Sequence, residues 1–260
     1  MLTNLKRQVG DLLTSKVVHK SIVQPAITDG FLKSNNKFIC VRDQAPYLQS
    51  LIFWNLYERS EVRLIRKFLK RDIPVVELGA SLGMTSLAIC STVGESVSVV
   101  SVEANPKLFN NLNETRKRNA LNNLTLLSAA VDYSGESNTS FILDDSNLGS
   151  HKGVSENSVL VPTIRLCDLI LKNQIRQFSL VCDIEGAELD MFMNETHPRV
   201  VDGCLQIIIE LHPVTYNGKH YTRSEVSGII EENFHMKTVY SDGKTWVFEK
   251  NGKTVSSSAS

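Results

Sequence analysis

Short apolar runs rich in β-branched residues recur along this chain and alternate with segments of helical pattern. The runs lie at residues 73–78, 97–102, 124–131, 178–182 and 205–209. Strands that are apolar along most of their length are buried on both faces, which is typical of a parallel sheet covered by helices. The alternation therefore predicts an α/β fold built from successive βαβ units.

The two ends of the chain depart from this alternation. Two strand-like runs near the C-terminus, at residues 236–240 and 245–249, are joined by a Ser-Asp-Gly-Lys turn. Such a turn is a hairpin signal, so we expect the mostly parallel sheet to end in an antiparallel hairpin. We predict a small N-terminal extension at 1–50, the α/β domain at 51–252 and a flexible tail at 253–260.

Other segments carry weaker patterns. Val17-Val18 and residues 38–41 resemble short strands, and residues 45–71 have a helical pattern. The basic side chains of that helix, such as Arg66, form either a solvated face or a patch that attracts substrate. Residues 132–158 are rich in Ser, Asn, Gly and Asp, which predicts a long loop or lid.

Composition narrows the class of protein. Acidic and basic residues balance at 28 each, so no overall field draws the chain to nucleic acid or to an anionic membrane. The five cysteines are scattered and form no C-x-x-C pair, which favours the reducing cytoplasm. No apolar run approaches the roughly 18–20 residues that span a bilayer, and the N-terminus lacks a signal-peptide pattern. We therefore expect a soluble, cytoplasmic protein with no membrane span.

A glycine loop follows the first strand of the α/β region. It reads Glu77-Leu78-Gly79-Ala80-Ser81-Leu82-Gly83 and leads into a helical pattern. A strand, a glycine turn and a helix form a nucleotide-type crevice at the carboxyl end of a parallel sheet. The spacing of Gly79 and Gly83 differs from the Gly-x-Gly-x-x-Gly of dinucleotide sites, and no Gly-Lys-Ser/Thr of a P-loop follows. A dehydrogenase is therefore disfavoured.

The polar groups around this loop suit S-adenosylmethionine. Glu77 can serve the ammonium of the ligand, and the helix N-terminus beside Ser81 favours its carboxylate. Glu103 ends the next strand, where a doubly wound fold places the acid that binds ribose hydroxyls. Asp132 follows the third strand and is a candidate acceptor for the adenine amino group. The predicted cofactor residues are Glu77, Gly79, Ser81, Gly83, Glu103, Ala104, Val131 and Asp132.

Polar residues at the ends of two later strands are candidates for the chemistry of methyl transfer. Asp183 and Glu185 end the fourth strand, and His212 follows the fifth, so all three should meet at one edge of the sheet. Asp183 is the first candidate for a general base or metal ligand, with Glu185 and His212 as alternatives. Glu185 and Glu188 could instead only cap a helix, and His212 could be a hydrogen-bonded residue at a strand end.

Metal dependence is a second possibility for the same edge of the sheet. We expect no resident metal, but Asp183, Glu185 and Glu210 could together bind one Mg²⁺ through oxygen ligands. In that case EDTA would abolish turnover and Mg²⁺ would restore it.

Three sequence blocks resemble the FkbM family of methyltransferases. They are residues 75–83, Glu103-Ala104-Asn105-Pro106, and Asp183-Ile184-Glu185-Gly186-Ala187-Glu188, and the last is the most specific. Glu210-Leu211-His212 is similar to a Glu-x-His found after the fifth strand in that family. The resemblance spans about residues 55–250.

The resemblance implies a Rossmann-like class I fold with a seven-stranded sheet. It also implies S-adenosylmethionine as cofactor and O-methylation of a sugar, glycan or natural product, that is, a small-molecule or glycan acceptor. Ser81 stands where the family often has Asn, and Val181 stands where it commonly has Lys. The second departure leaves the substrate chemistry open.

Two other functions remain open. RNA 2′-O-methyltransferases use a Lys-Asp-Lys-Glu set, of which Asp183 and Glu210 could supply two members. No lysine lies between Glu185 and Glu210, and the net charge is zero, so a nucleic-acid partner is disfavoured. A binding protein without catalytic activity could also retain this fold.

Overall fold

The computed structural model describes residues 10–143, 151–152 and 158–251. The predicted tail at 253–260 lies outside these residues, as does part of the predicted loop at 132–158. The predicted boundaries after residues 50 and 252 stay predictions.

The strands fall into one large sheet and three smaller groups. In chain order they are β1 (Phe31–Ser34), β2 (Lys37–Cys40), β3 (Val75–Leu78), β4 (Val99–Glu103), β5 (Leu124–Ser128), β6 (Ala130–Val131), β7 (Asn138–Ile142), β8 (His151–Lys152), β9 (Ser158–Ile164), β10 (Phe178–Cys182), β11 (Cys204–Glu210), β12 (Val214–Tyr216), β13 (Lys219–Tyr221), β14 (Met236–Ser241) and β15 (Thr245–Lys250).

The α-helices, in chain order, are α1 (Lys16–Val18), α2 (Pro46–Phe53), α3 (Arg59–Phe68), α4 (Met84–Val93), α5 (Pro106–Arg118), α6 (Leu166–Lys172), α7 (Glu188–Asn194), α8 (Pro198–Val201) and α9 (Arg223–Asn233). A π-helix (His19–Val23) and a 3-10 helix (Gln24–Ala26) directly follow α1 and precede β1. No helix in the described ranges is long and apolar enough to cross a membrane.

The large sheet has seven strands in the order β14-β15-β11-β10-β3-β4-β5. The pairs from β11 to β5 are parallel, whereas β15 runs antiparallel to both β11 and β14. Because β3 lies beside both β4 and β10, the strand order reverses there, and a ligand crevice opens at the carboxyl ends of such strands. The predicted Rossmann-like fold with its antiparallel C-terminal hairpin is confirmed.

Successive residues of each central strand enter two different apolar cores. Val76 on β3 and Leu180 on β10 pack in one buried cluster, while their neighbours Val75 and Val181 pack in the other. This alternation follows from the two-residue period of a strand, with helices covering both faces of the sheet. The apolar pattern of these strands is thus explained by burial on both sides.

The N-terminal residues pack into the second of these cores. Val23, Leu32 and Ile39 are buried together with Val75 of the central sheet. The backbone N–H of Cys40 also donates a hydrogen bond of 3.0 Å to Thr115 Oγ1 on α5. The N-terminal segment therefore shares a core with the α/β unit.

The structure corrects the predictions for the segments with weak patterns. Val17-Val18 belongs to α1 and not to a strand, since Ser15 Oγ accepts a hydrogen bond from the N–H of Val18 and starts a helical turn. The predicted helix at 45–71 is two helices, separated where Asn55 and Glu58 adopt positive φ. Such dihedrals end an α-helix and re-aim the chain.

The predicted loop at 132–158 contains part of a small second sheet. Strand β7 pairs antiparallel with β9, and β6 pairs parallel with β9. Phe141 on β7 is buried against Ala130 and Val161. Strand β7 has no clear sequence pattern of a strand, because only one of its side chains, Phe141, is buried.

Candidate active site at the carboxyl edge of the sheet

A cavity of about 470 Å³ opens at the carboxyl ends of the central parallel strands. Gly79 and Ser81 follow β3, Glu103 ends β4, and Asp183 follows β10, and all four line it. The cavity therefore lies at the position where doubly wound sheets bind ligands. Its volume is within the usual range of small-molecule sites.

The glycine loop is held against the strand that carries Asp183. Gly79 has a φ of +84°, and a Cβ at that position would lie 1.7 Å from the carbonyl oxygen of Asp183. Gly83 has a φ of +91°, and its Cβ would lie 2.8 Å from a methyl group of Leu112. Both positions need glycine for the backbone conformation and for close packing.

Glu103 ties the glycine loop to the end of β4. Its Oε2 accepts a hydrogen bond of 2.7 Å from the N–H of Ser81, and its Oε1 accepts one of 2.7 Å from the N–H of Asn105. Burial raises the pKa of Glu103 to about 7, although these backbone donors oppose the shift. The carboxylate retains lone pairs that could accept two hydroxyl groups.

Glu77 lies behind the loop and does not line the main cavity. Its Oε2 accepts hydrogen bonds from the hydroxyls of Ser86, at 2.5 Å, and Ser101. Burial raises the pKa of Glu77. Direct contact with a ligand ammonium would require this carboxylate to leave its two serine donors.

The remaining predicted cofactor residues separate into two groups. Ala104 and Val131 line the cavity. Asp132 is buried outside the cavity lining, and its Oδ1 accepts a hydrogen bond of 2.6 Å from the N–H of Ser134. Phe141 of β7 lines the cavity near this end. Its position was not predicted, because it comes from the segment expected to be a loop.

Further cavity residues come from outside the predicted motifs. Tyr57 and Glu58 precede α3, and Pro213 and Val214 follow the strand end that carries His212. The hydroxyls of Tyr57 and Ser81 are 2.7 Å apart, so this tyrosine contacts the glycine loop directly. Pro213 could have been predicted as a cavity residue because it directly follows Glu-Leu-His. No local sequence pattern distinguishes Tyr57.

Asp183 places a carboxyl group at the inner end of the cavity. Its Oδ1 is buried and has no hydrogen-bond partner among the described residues. Burial, with the nearby Glu210 and Glu185, raises the pKa of Asp183 well above its usual range. An unpartnered buried oxygen is costly unless a ligand or proton satisfies it.

Three more unpartnered atoms lie close to Asp183. Glu58 Oε2, Glu77 Oε1 and Thr245 Oγ1 also lack hydrogen-bond partners within the described ranges. Together with Asp183, these residues line a second, internal cavity of about 10 Å³ directly behind the first. The unsatisfied polar atoms are thus concentrated on the Asp183 side of the site.

His212 lies inside a group of carboxylates. Its Nδ1 is 3.0 Å from Glu188 Oε1, and its Nε2 is 3.3 Å from Glu210 Oε1 and 3.5 Å from Glu185 Oε2. Although burial opposes it, hydrogen bonding to Glu188 and Glu210 raises the pKa of His212 to about 10. The ring is therefore an imidazolium near neutral pH, which can donate but cannot accept a proton.

Glu210 is the most strongly paired acid of this group. Although burial opposes it, hydrogen bonds from His212, Glu61 and Lys244 lower the pKa of Glu210 to about 2. Burial, followed by its hydrogen bond with Glu210, raises the pKa of Glu61 to about 7. The proton between these two acids therefore resides on Glu61, and Glu210 stays ionised.

The possible metal ligands differ from the predicted set. Asp183, Glu188 and His212 offer ligand atoms that all lie within 4.8 Å of one another. Glu210 instead pairs with Lys244 and His212, and Glu185 is partly exposed. A histidine nitrogen beside two carboxylates is a mixed donor set, which suits transition metals better than Mg²⁺. Ligation would require His212 to lose its proton.

The chain resembles several solved structures at low sequence identity. EvdMO1 is 9% identical with a TM-score of 0.43, and the match covers 75% of this chain but only 41% of that protein. Fibrillarin from Aeropyrum pernix, solved with natively bound S-adenosyl-L-methionine, is 11% identical over 73% of each chain, with a TM-score of 0.43. The ribosomal protein L11 methylase of Lactobacillus delbrueckii subsp. bulgaricus is 12% identical over 76% of this chain and 80% of that one, with a TM-score of 0.42. These likenesses carry no conclusion about activity.

A family match gives the assignment. None of the curated proteins matches the chain. The methyltransferase FkbM domain matches residues 77–249, which is more than half of the chain and includes the glycine loop, Glu103, Asp183 and His212. The chain therefore belongs to the FkbM family of class I S-adenosylmethionine-dependent methyltransferases.

Proposed function

We propose that the protein transfers the methyl group of S-adenosylmethionine to a hydroxyl of a sugar, glycan or other small acceptor, with Asp183 as the general base. The observation that carries this proposal is Asp183, which lines the cavity and whose buried Oδ1 has no hydrogen-bond partner among the described residues. A general base needs a free lone pair directed at the reacting group and a pKa nearer to neutral than that of an exposed carboxylate. Asp183 lines the cavity, and burial beside Glu210 and Glu185 raises its pKa well above its usual range, which supports this role.

The cofactor is assigned to the side of the cavity that is formed by Glu103 and the glycine loop. The ribose hydroxyls would donate to Glu103, and the adenine would lie between Ala104, Val131 and Phe141. The methionine end would then face the glycine loop and Tyr57. Support for this orientation comes from Glu103, whose two oxygens are already held in place by backbone donors.

Methyl transfer in this arrangement is an in-line displacement. The acceptor oxygen forms a bond to the methyl carbon while the carbon–sulfur bond breaks and its electron pair stays on sulfur, which gives S-adenosylhomocysteine. The hydroxyl proton passes to Asp183. His212, held as an imidazolium by Glu188 and Glu210, acts as a positioning residue, since its positive charge favours the ionised form of Asp183.

The reducing cytoplasm remains the proposed location. All five cysteines are free and buried, as expected where no disulfide is needed.

The test compares Asp183→Asn with Asp202→Asn, an exposed aspartate at the end of α8. Binding of S-adenosylmethionine is measured by calorimetry, and turnover by transfer of a tritiated methyl group to a panel of sugars, glycans and small alcohols. We expect Asp183→Asn to bind the cofactor within a few-fold of wild type while its turnover falls by roughly 10²–10⁴-fold. Asp202→Asn should behave as wild type.

Two results would contradict the proposal. Retention of wild-type turnover by Asp183→Asn would remove Asp183 from the chemistry, and absence of turnover on every acceptor despite tight cofactor binding would favour a binding protein. EDTA-treated protein is expected to keep its turnover. A loss that an added divalent metal reverses would instead make Asp183 a ligand, together with Glu188 and His212.

A further inference from the structure

Helix α3 has two chemically different faces. Its inward side carries the buried Leu64 and Ile65 and the buried acid Glu61. Its outward side carries four exposed cations, which are Arg59, Arg63, Arg66 and Lys67. Amphipathic helices usually present mixed charges to solvent, whereas this outward face is basic only.

The cations of α3 line a surface groove that meets the active-site cavity. The groove has a volume of about 460 Å³, and its described lining includes no carboxylate. Tyr57 lines both the groove and the cavity. A ligand in the groove would therefore be adjacent to the glycine loop that Tyr57 contacts through Ser81.

The cations in the groove are only weakly paired with the rest of the protein. Arg63 Nη2 is 3.9 Å from Asp242 and donates a hydrogen bond of 3.2 Å to the hydroxyl of Tyr240. Lys67 Nζ lies 4.7 Å from the centre of the Phe68 ring. Arg59 and Arg66 have neither a hydrogen bond nor an ion pair in the described part of the chain. Two guanidinium groups are thus available for an external anion.

We infer that this groove, defined by Arg59, Arg63, Arg66 and Lys67, binds a phosphate group carried by the methyl acceptor. This inference rests on the proposed function, because it names the chemistry of the acceptor of the same site. Guanidinium groups bind phosphate through paired N–H donors, and Arg recognises such planar arrangements of oxygens better than Lys does. Four cations along one wall of a groove whose described lining has no carboxylate favour an anion over a neutral group.

The size of the groove favours a small phosphorylated acceptor over RNA. The basic face runs from Arg59 to Lys67, which is about 12 Å along a helix. That length suits one or two phosphate groups, and the chain as a whole has no net charge to hold a longer polyanion. A phosphorylated sugar or lipid-linked sugar has a compact anionic group of this size.

The test uses inorganic pyrophosphate as the probe, titrated by calorimetry into the protein saturated with S-adenosylhomocysteine. The double variant Arg59→Gln/Arg66→Gln is compared with wild type and with Arg176→Gln/Arg199→Gln. The control pair also removes two exposed arginines, and neither lines the groove. We expect affinity for pyrophosphate to fall by roughly tenfold in the first variant and to stay unchanged in the control.

Every outcome of this titration is informative. Absence of pyrophosphate binding to wild type, or equal binding by both double variants, would overturn the inference. A single-stranded RNA that binds far more tightly than pyrophosphate and is lost only in Arg59→Gln/Arg66→Gln would replace the small acceptor by nucleic acid. Because the readout is binding of an anion and involves no methyl transfer, failure here leaves the role of Asp183 intact, and failure of the Asp183 test leaves this result intact.

Discussion

The two sides of the active-site cavity differ in how their polar groups are satisfied. On the cofactor side, Glu103 receives two backbone N–H donors, and the glycine loop is fixed by its hydrogen bonds and close packing. Around Asp183, the described residues leave oxygen atoms of Asp183, Glu58 and Glu188 buried without partners, and Glu77 Oε1 behind the glycine loop is unpartnered as well. Polar groups that already have hydrogen-bond partners form a preorganised binding site. Buried polar groups without partners destabilise the folded state unless a ligand or a proton satisfies them.

This difference suggests different roles for the two sides, binding for one and proton transfer for the other. A group already bonded to the backbone changes little when a ligand arrives, so it contributes mainly affinity. A carboxylate with an open lone pair and a raised pKa can take a proton during the reaction. Substitutions on one side of the cavity at a time test the separate roles of the two sides.

The largest effect on stability should come from Gly79→Ala. The added Cβ would meet the carbonyl oxygen of Asp183 at 1.7 Å, and the residue would have to keep a φ of +84°. We expect a loss of at least about 3 kcal/mol in the free energy of unfolding, measured by urea denaturation. Gly186→Ala is the matched control, because Gly186 also has a positive φ but no atom within 4 Å of its Cβ position.

The control should lose only about 1 kcal/mol. Equal losses in Gly79→Ala and Gly186→Ala would show that the dihedral alone matters and that the contact with Asp183 does not hold the loop.

A smaller effect is expected from Glu188→Gln on the Asp183 side of the cavity. Glu188 is buried, and its Oε1 accepts hydrogen bonds from His212 and from the N–H of Ile184. Replacing the carboxylate by an amide keeps the shape but removes the charge opposite the imidazolium. We expect a loss of about 2 kcal/mol in stability at pH 7 and a lower pKa of His212, read from the imidazole proton shifts in an NMR titration.

The same substitution separates two roles of the cluster. If turnover falls while cofactor affinity is kept, His212 acts through its charge on Asp183, as proposed. An unchanged pKa of His212 in Glu188→Gln would contradict the pairing, and Glu195→Gln, which removes a buried acid hydrogen-bonded to Tyr133, serves as the control.

The smallest effect concerns proton linkage on the cofactor side. Burial raises the pKa of Glu103 from 4.5 to about 7, so the folded protein holds a proton there between these pH values and loses stability as pH rises through that window. Ribose hydroxyls would donate to the ionised form, so cofactor affinity should rise from pH 5.5 to pH 7.5 by roughly tenfold.

The measurement is calorimetry of S-adenosylmethionine binding in buffers of different ionisation enthalpy. Wild type should release a proton on binding near pH 6, and Glu103→Gln should not. Proton release of equal size in both proteins would assign the linkage to another buried acid. Glu77 is the first candidate, because its charge contributes to the raised pKa of Glu103.

The central sheet and most of the candidate site were predictable because their signals are local. The strands β3, β4 and β10 are short apolar runs that end at or just before Gly79, Glu103 and Asp183, and parallel strands bring those ends to one edge. The sequence therefore placed Glu103 and Asp183 on one cavity without any knowledge of contacts. The pairing of Glu188 with His212 also follows from that edge, although the raised pKa of His212 depends on distances that a sequence does not contain.

The parts that were missed depend on long-range contacts. Tyr57 reaches the glycine loop only because Asn55 and Glu58 take positive φ and break the predicted helix. Phe141 reaches the cavity because β7 pairs with a strand some twenty residues later. Glu77 has the expected position but faces two serines of its own unit, which a strand-end motif alone could not reveal.

The contact between Gly79 and the carbonyl of Asp183 also limits how the site can move. The backbone of the glycine loop lies directly against the end of β10, and the N–H of Asp183 donates a hydrogen bond of 2.9 Å to the carbonyl of Leu78, so the two segments are joined at backbone level. Under the proposed function, the methyl acceptor would approach past lining residues from other elements, such as Phe141 of β7 and Val214 of β12. Substitutions that loosen the backbone contact behind Gly79 should then disturb cofactor binding and methyl transfer together.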